Sequence, residues 1–170
     1  MVNIKVKRLS ETAKLPEKTN ANDTGYDIFV DIVEERPPHN QVIIHTGIAI
    51  QPESGYYVEV YPRSSVYRKH MQLANSVAII DESYTGEIVL IFNKIPTYSQ
   101  ADSSPSLGYW SEVRVGEKIA QMVVRKRIDA DFIEVSYLDN TARGDGGFGS
   151  TGDGVSAGES WISGYKGRTV

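Results

Sequence analysis

"NSVAIIDESYTGEIVLIF", Asn75 to Phe92, sets two apolar runs on either side of a short polar connection. "NSVAII" and "GEIVLIF" have the Val/Ile enrichment of strands, and "DESYTGE", Asp81 to Glu87, reads as the hairpin connection between them. Asp81 closes the first run, where a carboxylate can hold a water molecule or simply cap the hairpin. Tyr84 follows three residues on, and Asn75, six residues before Asp81, brings an amide that both donates and accepts.

Working outward, "NIKVKRL", "GYDIFVDIV", "QVIIHTGIAI", "YYVEVYP", "EKIAQMVVRK" and "FIEVSYL" repeat the same strand chemistry with turn residues between them. No long apolar stripe of helical period occurs; at most a turn or two of helix is expected near "RSSVYRKHMQ". The expected fold is therefore a mostly antiparallel all-β domain. A chain of 170 residues suits one domain, and 40% hydrophobic with 24% charged residues is an ordinary globular composition. The absence of cysteine removes disulfides, thiolate nucleophiles and Cys-ligated metals, and fits an intracellular protein, cytoplasmic or nuclear. A net charge of −4 opposes passive binding to duplex nucleic acid. No apolar run approaches the ~18 residues of a membrane span, and "MVNIKVKRLSETAKLPEK" lacks a signal-peptide core. Stable nucleic-acid or membrane partners are not expected.

Two segments do not fit a plain strand array. Residues 96–112, "PTYSQADSSPSLGYWSE", form a long Pro/Ser-rich excursion with Tyr98, Tyr109 and Trp110. Such a loop is solvated filler or, through its aromatics, a surface for a protein partner. "RGDGGFGSTGDG", Arg143 to Gly154, holds six glycines, an arginine, two hydroxyls and one Phe. It reads as a frayed tail, or as a loop whose amides and arginine wrap a polyanion.

The remaining polar stretches are individually weak. "YPRSS" offers Arg63, Ser64 and Ser65 after a strand, suited to phosphate or to any turn. Gln121 lies in an otherwise apolar strand and needs a partner. Asp27 sits at a strand start, where a structural hydrogen bond is the plainer use. His39, His45 and His70 are too scattered for a metal site or a triad and read as structural.

Taken in order, "NDTGYDIF", "YPRSS", "NSVAIIDESYTGE", "VGEKIAQM" and "RGDGGFGSTG" resemble the five motifs of the homotrimeric dUTPase family, over roughly Ile4 to Gly152. The resemblance implies a jelly-roll-like β-barrel core at 1–142, with 96–112 as an inserted loop, and a flexible glycine-rich active-site arm and tail at 143–170. It implies a homotrimer with active sites shared between subunits, dUTP as substrate and Mg²⁺ as cofactor. The reaction would give dUMP and pyrophosphate, sanitising the nucleotide pool and supplying dUMP. Asp81 would activate the water that attacks the α-phosphorus. Arg63, Ser64, Ser65 and Gln121 would contact phosphates, while Asn75 and the backbone at Ile79 and Ile80 would read uracil. Tyr84 would stack under the deoxyribose and exclude a 2′-hydroxyl. From the arm, Arg143 would bind the γ-phosphate, Phe148 would cover the uracil, and Gly149, Ser150 and Thr151 would donate to phosphates. Asp27 would support the metal's water shell or the phosphate motif.

The chain departs from the family pattern at four places. Ala78 stands where the hairpin usually has glycine, and its methyl is expected to press on the base or the strand geometry. Thr24 replaces a small residue, the 96–112 loop is long, and the end after Gly152 is extended. Two rival readings share the fold: a dCTP deaminase or bifunctional relative, and a regulatory or binding protein acting through residues 96–112.

Overall fold

The computed structural model describes residues 1–36, 39–98, 105–106 and 112–146. Its strands are β1 (Ile4–Arg8), β2 (Tyr26–Phe29), β3 (Ile32–Arg36), β4 (Gln41–Pro52), β5 (Tyr56–Pro62), β6 (Met71–Leu73), β7 (Ala78–Ile80), β8 (Glu87–Lys94), β9 (Thr97–Tyr98), β10 (Pro105–Ser106) and β11 (Lys118–Lys126). A 3-10 helix, Ser64–Lys69, occupies the "RSSVYRKHMQ" stretch.

All pairings between these strands are antiparallel, in two large sheets. One runs β1-β4-β8-β6 with β3 also on β4; the other runs β2-β11-β5-β7, and β9 with β10 forms a separate two-stranded sheet. β4 is long enough to serve two neighbours along one edge: Gln41–His45 pairs β3, and Ile48–Pro52 pairs β1. In β8, Ile88, Leu90 and Phe92 are buried while Val89 and Ile91 face outward, the period-two pattern of a half-buried strand. β5 does the same with Val58 and Val60. These residues join Val42, Ile44, Ile48, Ile50, Ile119, Ala120 and Met122 in one core between the sheets, each large side chain contributing about 1.5–3 kcal/mol by its burial. The architecture is an all-β, jelly-roll-like barrel.

Three strand expectations need correction. "GYDIFVDIV" is two strands in different sheets, β2 and β3. The chain turns at Asp31, whose buried carboxylate accepts from Ser10 Oγ (2.7 Å) and Thr12 Oγ1 (2.6 Å) while its N–H donates to the His45 carbonyl. "NSVAII" is strand only over Ala78–Ile80, because Ser76 adopts a left-handed φ of 61°. "FIEVSYL" has strand alternation but forms no strand. Phe132, Ile133, Tyr137 and Leu138 are exposed, and among the described residues nothing pairs with their backbone, which a strand requires.

The chain divides into two compact units, Met1–Asp129 and Ala130–Val170. Both large sheets lie in the first.

Candidate active site

β7 lies at the edge of its sheet, paired only with β5 through Ala78–Val60, Ile79–Glu59 and Ile80–Val58. Its outward-facing amides and carbonyls have no strand partner among the described residues, so they are free to bind the edge of a flat, hydrogen-bonding ligand. Ile79 is 63% exposed on that strand, while Ala78 and Ile80 face the core. The Ala78 methyl is thus absorbed by the core and does not crowd the open face. Before the strand, the Val77 N–H donates to the Asn75 carbonyl (2.6 Å) and the Ser76 N–H to the Leu73 carbonyl (3.0 Å), which folds Asn75 into a tight exposed turn.

Asp81 follows β7 with its side chain exposed, and its carbonyl accepts the Tyr84 N–H at 3.1 Å. The next residue is anchored instead: Glu82 Oε2 accepts the Gly55 N–H (2.8 Å) and Oε1 pairs with Arg127 Nη1 (2.9 Å). That backbone donor, and then the guanidinium, hold the Glu82 carboxyl below its ordinary range. The anchor fixes the chain on which Asp81 rides. Tyr84 rests on Gly86, where an added Cβ would come within 2.6 Å of its hydroxyl, and that hydroxyl donates to the Glu87 carbonyl at 2.9 Å.

A second cluster sits at the far end of β5. The register places Gln121 between Asp27 and Tyr61, and Arg63 follows directly after β5. Asp27 is 8% exposed and fully engaged: Oδ1 pairs with Arg63 Nε (3.1 Å), while Oδ2 takes Lys118 Nζ (3.0 Å) and Thr19 Oγ1 (3.2 Å). Lys118 also reaches Glu17 (3.1 Å), and these bonds, that to Asp27 first, raise its pKa. The carboxylate thereby fixes the arginine head. Gly25 leaves room for Gln121: an added Cβ there would collide with the amide oxygen. Ser64 and Ser65 open the 3-10 helix with exposed side chains. Arg63, Ser64, Val66, Leu73 and Ser76 line part of an adjoining cavity of about 340 Å³.

Within one chain the Asp81 end of the hairpin does not reach the Arg63 cluster, although Ser76, ahead of β7, borders the same cavity as Arg63. Ile80 pairs with Val58, so Asp81 lies level with Tyr57, six residues along β5 from Arg63. At 3.2–3.4 Å per residue that is about 20 Å. In the second unit, the Arg143 guanidinium donates to the Gly146 carbonyl (2.9 Å), and Gly144 has a left-handed φ of 52°. Phe148, Gly149, Ser150 and Thr151, expected to contact base and phosphates, lie outside the described residues, as does most of 96–112 and all of 153–170. No group of three His, Asp or Glu able to hold a metal occurs among the described residues.

Lys118, Glu82 and Arg127 were not legible as site residues. Their partners are distant in sequence, as with Lys118 and Asp27 or Arg127 and Glu82, and only the strand register reveals them.

The dUTPase family model matches residues 11–99 and 110–152 of this chain. A deoxyuridine 5'-triphosphate nucleotidohydrolase of Arabidopsis thaliana is 37% identical over 149 residues, covering 87% of this chain and 82% of that protein. A point mutant of the dUTPase of Staphylococcus bacteriophage 80alpha, solved with dUpNHpp, superposes with a TM-score of 0.70 at 26% identity, covering 88% of this chain and 98% of that one. A mutant dUTPase from phage phi11 of S. aureus, which coordinates a structural Mg(II) ion, superposes at 0.63 with 23% identity, covering 81% and 99%.

Proposed function

Because the chain belongs to the dUTPase family and is a dUTP diphosphatase, we propose that it works through a composite site in a homotrimer. The hairpin cluster of one subunit meets the Arg63 cluster of its neighbour. The observation that carries this is the separation of about 20 Å along β5 between Arg63 and the level of Asp81, since both must reach the triphosphate of one nucleotide.

In this reading uracil docks on the open edge of β7, reading the backbone at Ile79 and Ile80 and the Asn75 amide. Directed backbone bonds separate uracil from cytosine, and the narrow slot rejects a C5 methyl by overpacking. The deoxyribose lies on Tyr84. Asp81 orients a water and takes its proton as the oxygen attacks the α-phosphorus. The bond to the bridging oxygen of the β-phosphate breaks, and pyrophosphate leaves as dUMP forms. General-base help of this kind supplies about 10²–10⁴-fold.

Arg63, positioned by Asp27, carries phosphate charge together with Ser64, Ser65 and Gln121. Arg143, Phe148, Gly149, Ser150 and Thr151 close over the nucleotide from the arm. Mg²⁺ would be held by the triphosphate oxygens of the bound nucleotide and would supply charge neutralisation there. Asp27 fits that arrangement as the support of Arg63. The product supplies dUMP and keeps the dUTP pool low.

The test is pyrophosphate release from dUTP, dTTP, dCTP and UTP, with and without Mg²⁺, alongside sedimentation of the same sample. Release confined to dUTP, dependent on Mg²⁺ and carried by a trimer is expected. A monomer turning over dUTP at the full rate would overturn the composite site.

A further inference from the structure

Glu87 opens β8 opposite a break in the β4 ladder. Pairing runs through His45–Val89 and resumes at Ala49–Glu87, so Thr46, Gly47 and Ile48 bow out of register. Gly47 makes the bend possible with a φ of 65°. The Glu87 carboxylate fills the bulge: Oε1 accepts the Gly47 N–H (2.9 Å) and Oε2 bonds His45 Nδ1 (3.0 Å). Beside it, the buried Thr46 hydroxyl donates to the Ile88 carbonyl at 2.6 Å. Glu87 therefore grips β4 with its side chain while its backbone carbonyl holds the Tyr84 hydroxyl at 2.9 Å.

We propose that His45 and Glu87 are positioning residues for sugar discrimination, the bond between them fixing the residue that holds the Tyr84 ring in place. This rests on the reading of Tyr84 as the floor of the deoxyribose site. The ring is located by two contacts, Gly86 beneath it and the Glu87 carbonyl at its tip, and both belong to the segment that the bulge pins. Exclusion of a 2′-hydroxyl is a matter of one oxygen's room, so the ring discriminates only while it cannot retreat.

The latch is set to respond to pH. His45 faces Glu87 on β8 and Glu34 on β3, whose Oε2 lies 3.8 Å from Nε2 and whose Oε1 is held by Arg36 at 3.0 Å. β1 brings Lys7 and Arg8 opposite Ala49 and Ile48, and the carboxylate of Asp31 is bonded by Ser10 and Thr12. The Glu87 bond first, and Glu34 after it, raise His45 above its ordinary 6.5. The charged latch is complete below that ordinary value and is lost as pH rises through the raised one.

The experiment measures kcat/KM for dUTP and for UTP from pH 6 to pH 9. The two substrates carry the same triphosphate, so its titration cancels from their ratio. In the wild type the preference for dUTP is expected to fall on the order of tenfold with rising pH, about what one charge-assisted hydrogen bond provides. His45→Gln and Glu87→Gln should sit at the relaxed ratio at every pH, and His45→Arg should keep the tight ratio throughout. Thermal unfolding of each variant over the same range shows which are folded. A wild-type ratio that is flat with pH overturns the proposal without recourse to any variant. If Tyr84→Ala relaxes the ratio while folded His45→Gln and Glu87→Gln do not, the latch is refuted and the sugar gate stands. An unchanged ratio in Tyr84→Ala removes the gate itself.

Discussion

Gly25 and Gly86 have no side chain because Gln121 and Tyr84 occupy the space one would take. Neither glycine is required by a left-handed backbone; their role is clearance. Gly25→Ala should therefore displace the Gln121 amide and lower kcat/KM for dUTP by about tenfold, within the ~1–3 kcal/mol range of overpacking, while the protein stays folded. Pyrophosphate release and circular dichroism check the two halves of that statement. Asp81→Asn should cut turnover by about 10²–10⁴-fold, with a non-hydrolysable dUTP analogue still binding by calorimetry. Full turnover in that variant would remove Asp81 from the chemistry. At this scale the sequence was most informative: the hydroxyl-rich "YPRSS" and the Asp–Tyr spacing of "IIDESY" marked the polar residues. It did not show that Asp27 is held by Arg63 and Lys118 as well as by nearby Thr19, because the two cationic partners lie far from it in the chain.

β5 shows how one strand serves both faces. Val58 and Val60 point to the core, while Tyr57, Glu59 and Tyr61 line the outer face. There Glu59 accepts from the Tyr61 hydroxyl (2.6 Å), the Arg125 guanidinium (2.8 Å) and the Tyr57 hydroxyl (2.9 Å). These bonds, that of Tyr61 first, lower its pKa to about 2. The carboxylate's contribution to stability is then present above the ordinary glutamate value of 4.5 and lost as pH falls through about 2. Acid unfolding followed by fluorescence should be shallower for Glu59→Gln across that window; identical profiles would show that the network adds nothing to folding. Alternation made β5 and β8 legible in advance, since their period matches a one-sided sheet. The same alternation misled at "FIEVSYL", because a strand is defined by a backbone partner and side-chain pattern does not supply one.

In the assembled molecule, the proposed composite site has the two clusters come from different chains. Arg63→Ala and Asp81→Asn should each retain only a small fraction of wild-type turnover alone. Unfolded together and refolded as mixed trimers, they should regain activity approaching about a quarter of wild type, the share of interfaces that pair two intact halves. Absence of any recovery, with mixed trimers shown by mass spectrometry, would place both clusters of a site in one subunit.

The sequence by itself determined the all-β class, the strand chemistry and the identity of the motif residues, because local periodicity and residue type decide those. Tertiary structure alone decided which residues stand together. Antiparallel register set Asp81 and Arg63 at opposite ends of one strand, brought Lys118 to Asp27, and let a bulge in β4 close on Glu87 behind Tyr84. Register depends on where distant segments pair, and no short stretch of sequence carries that information.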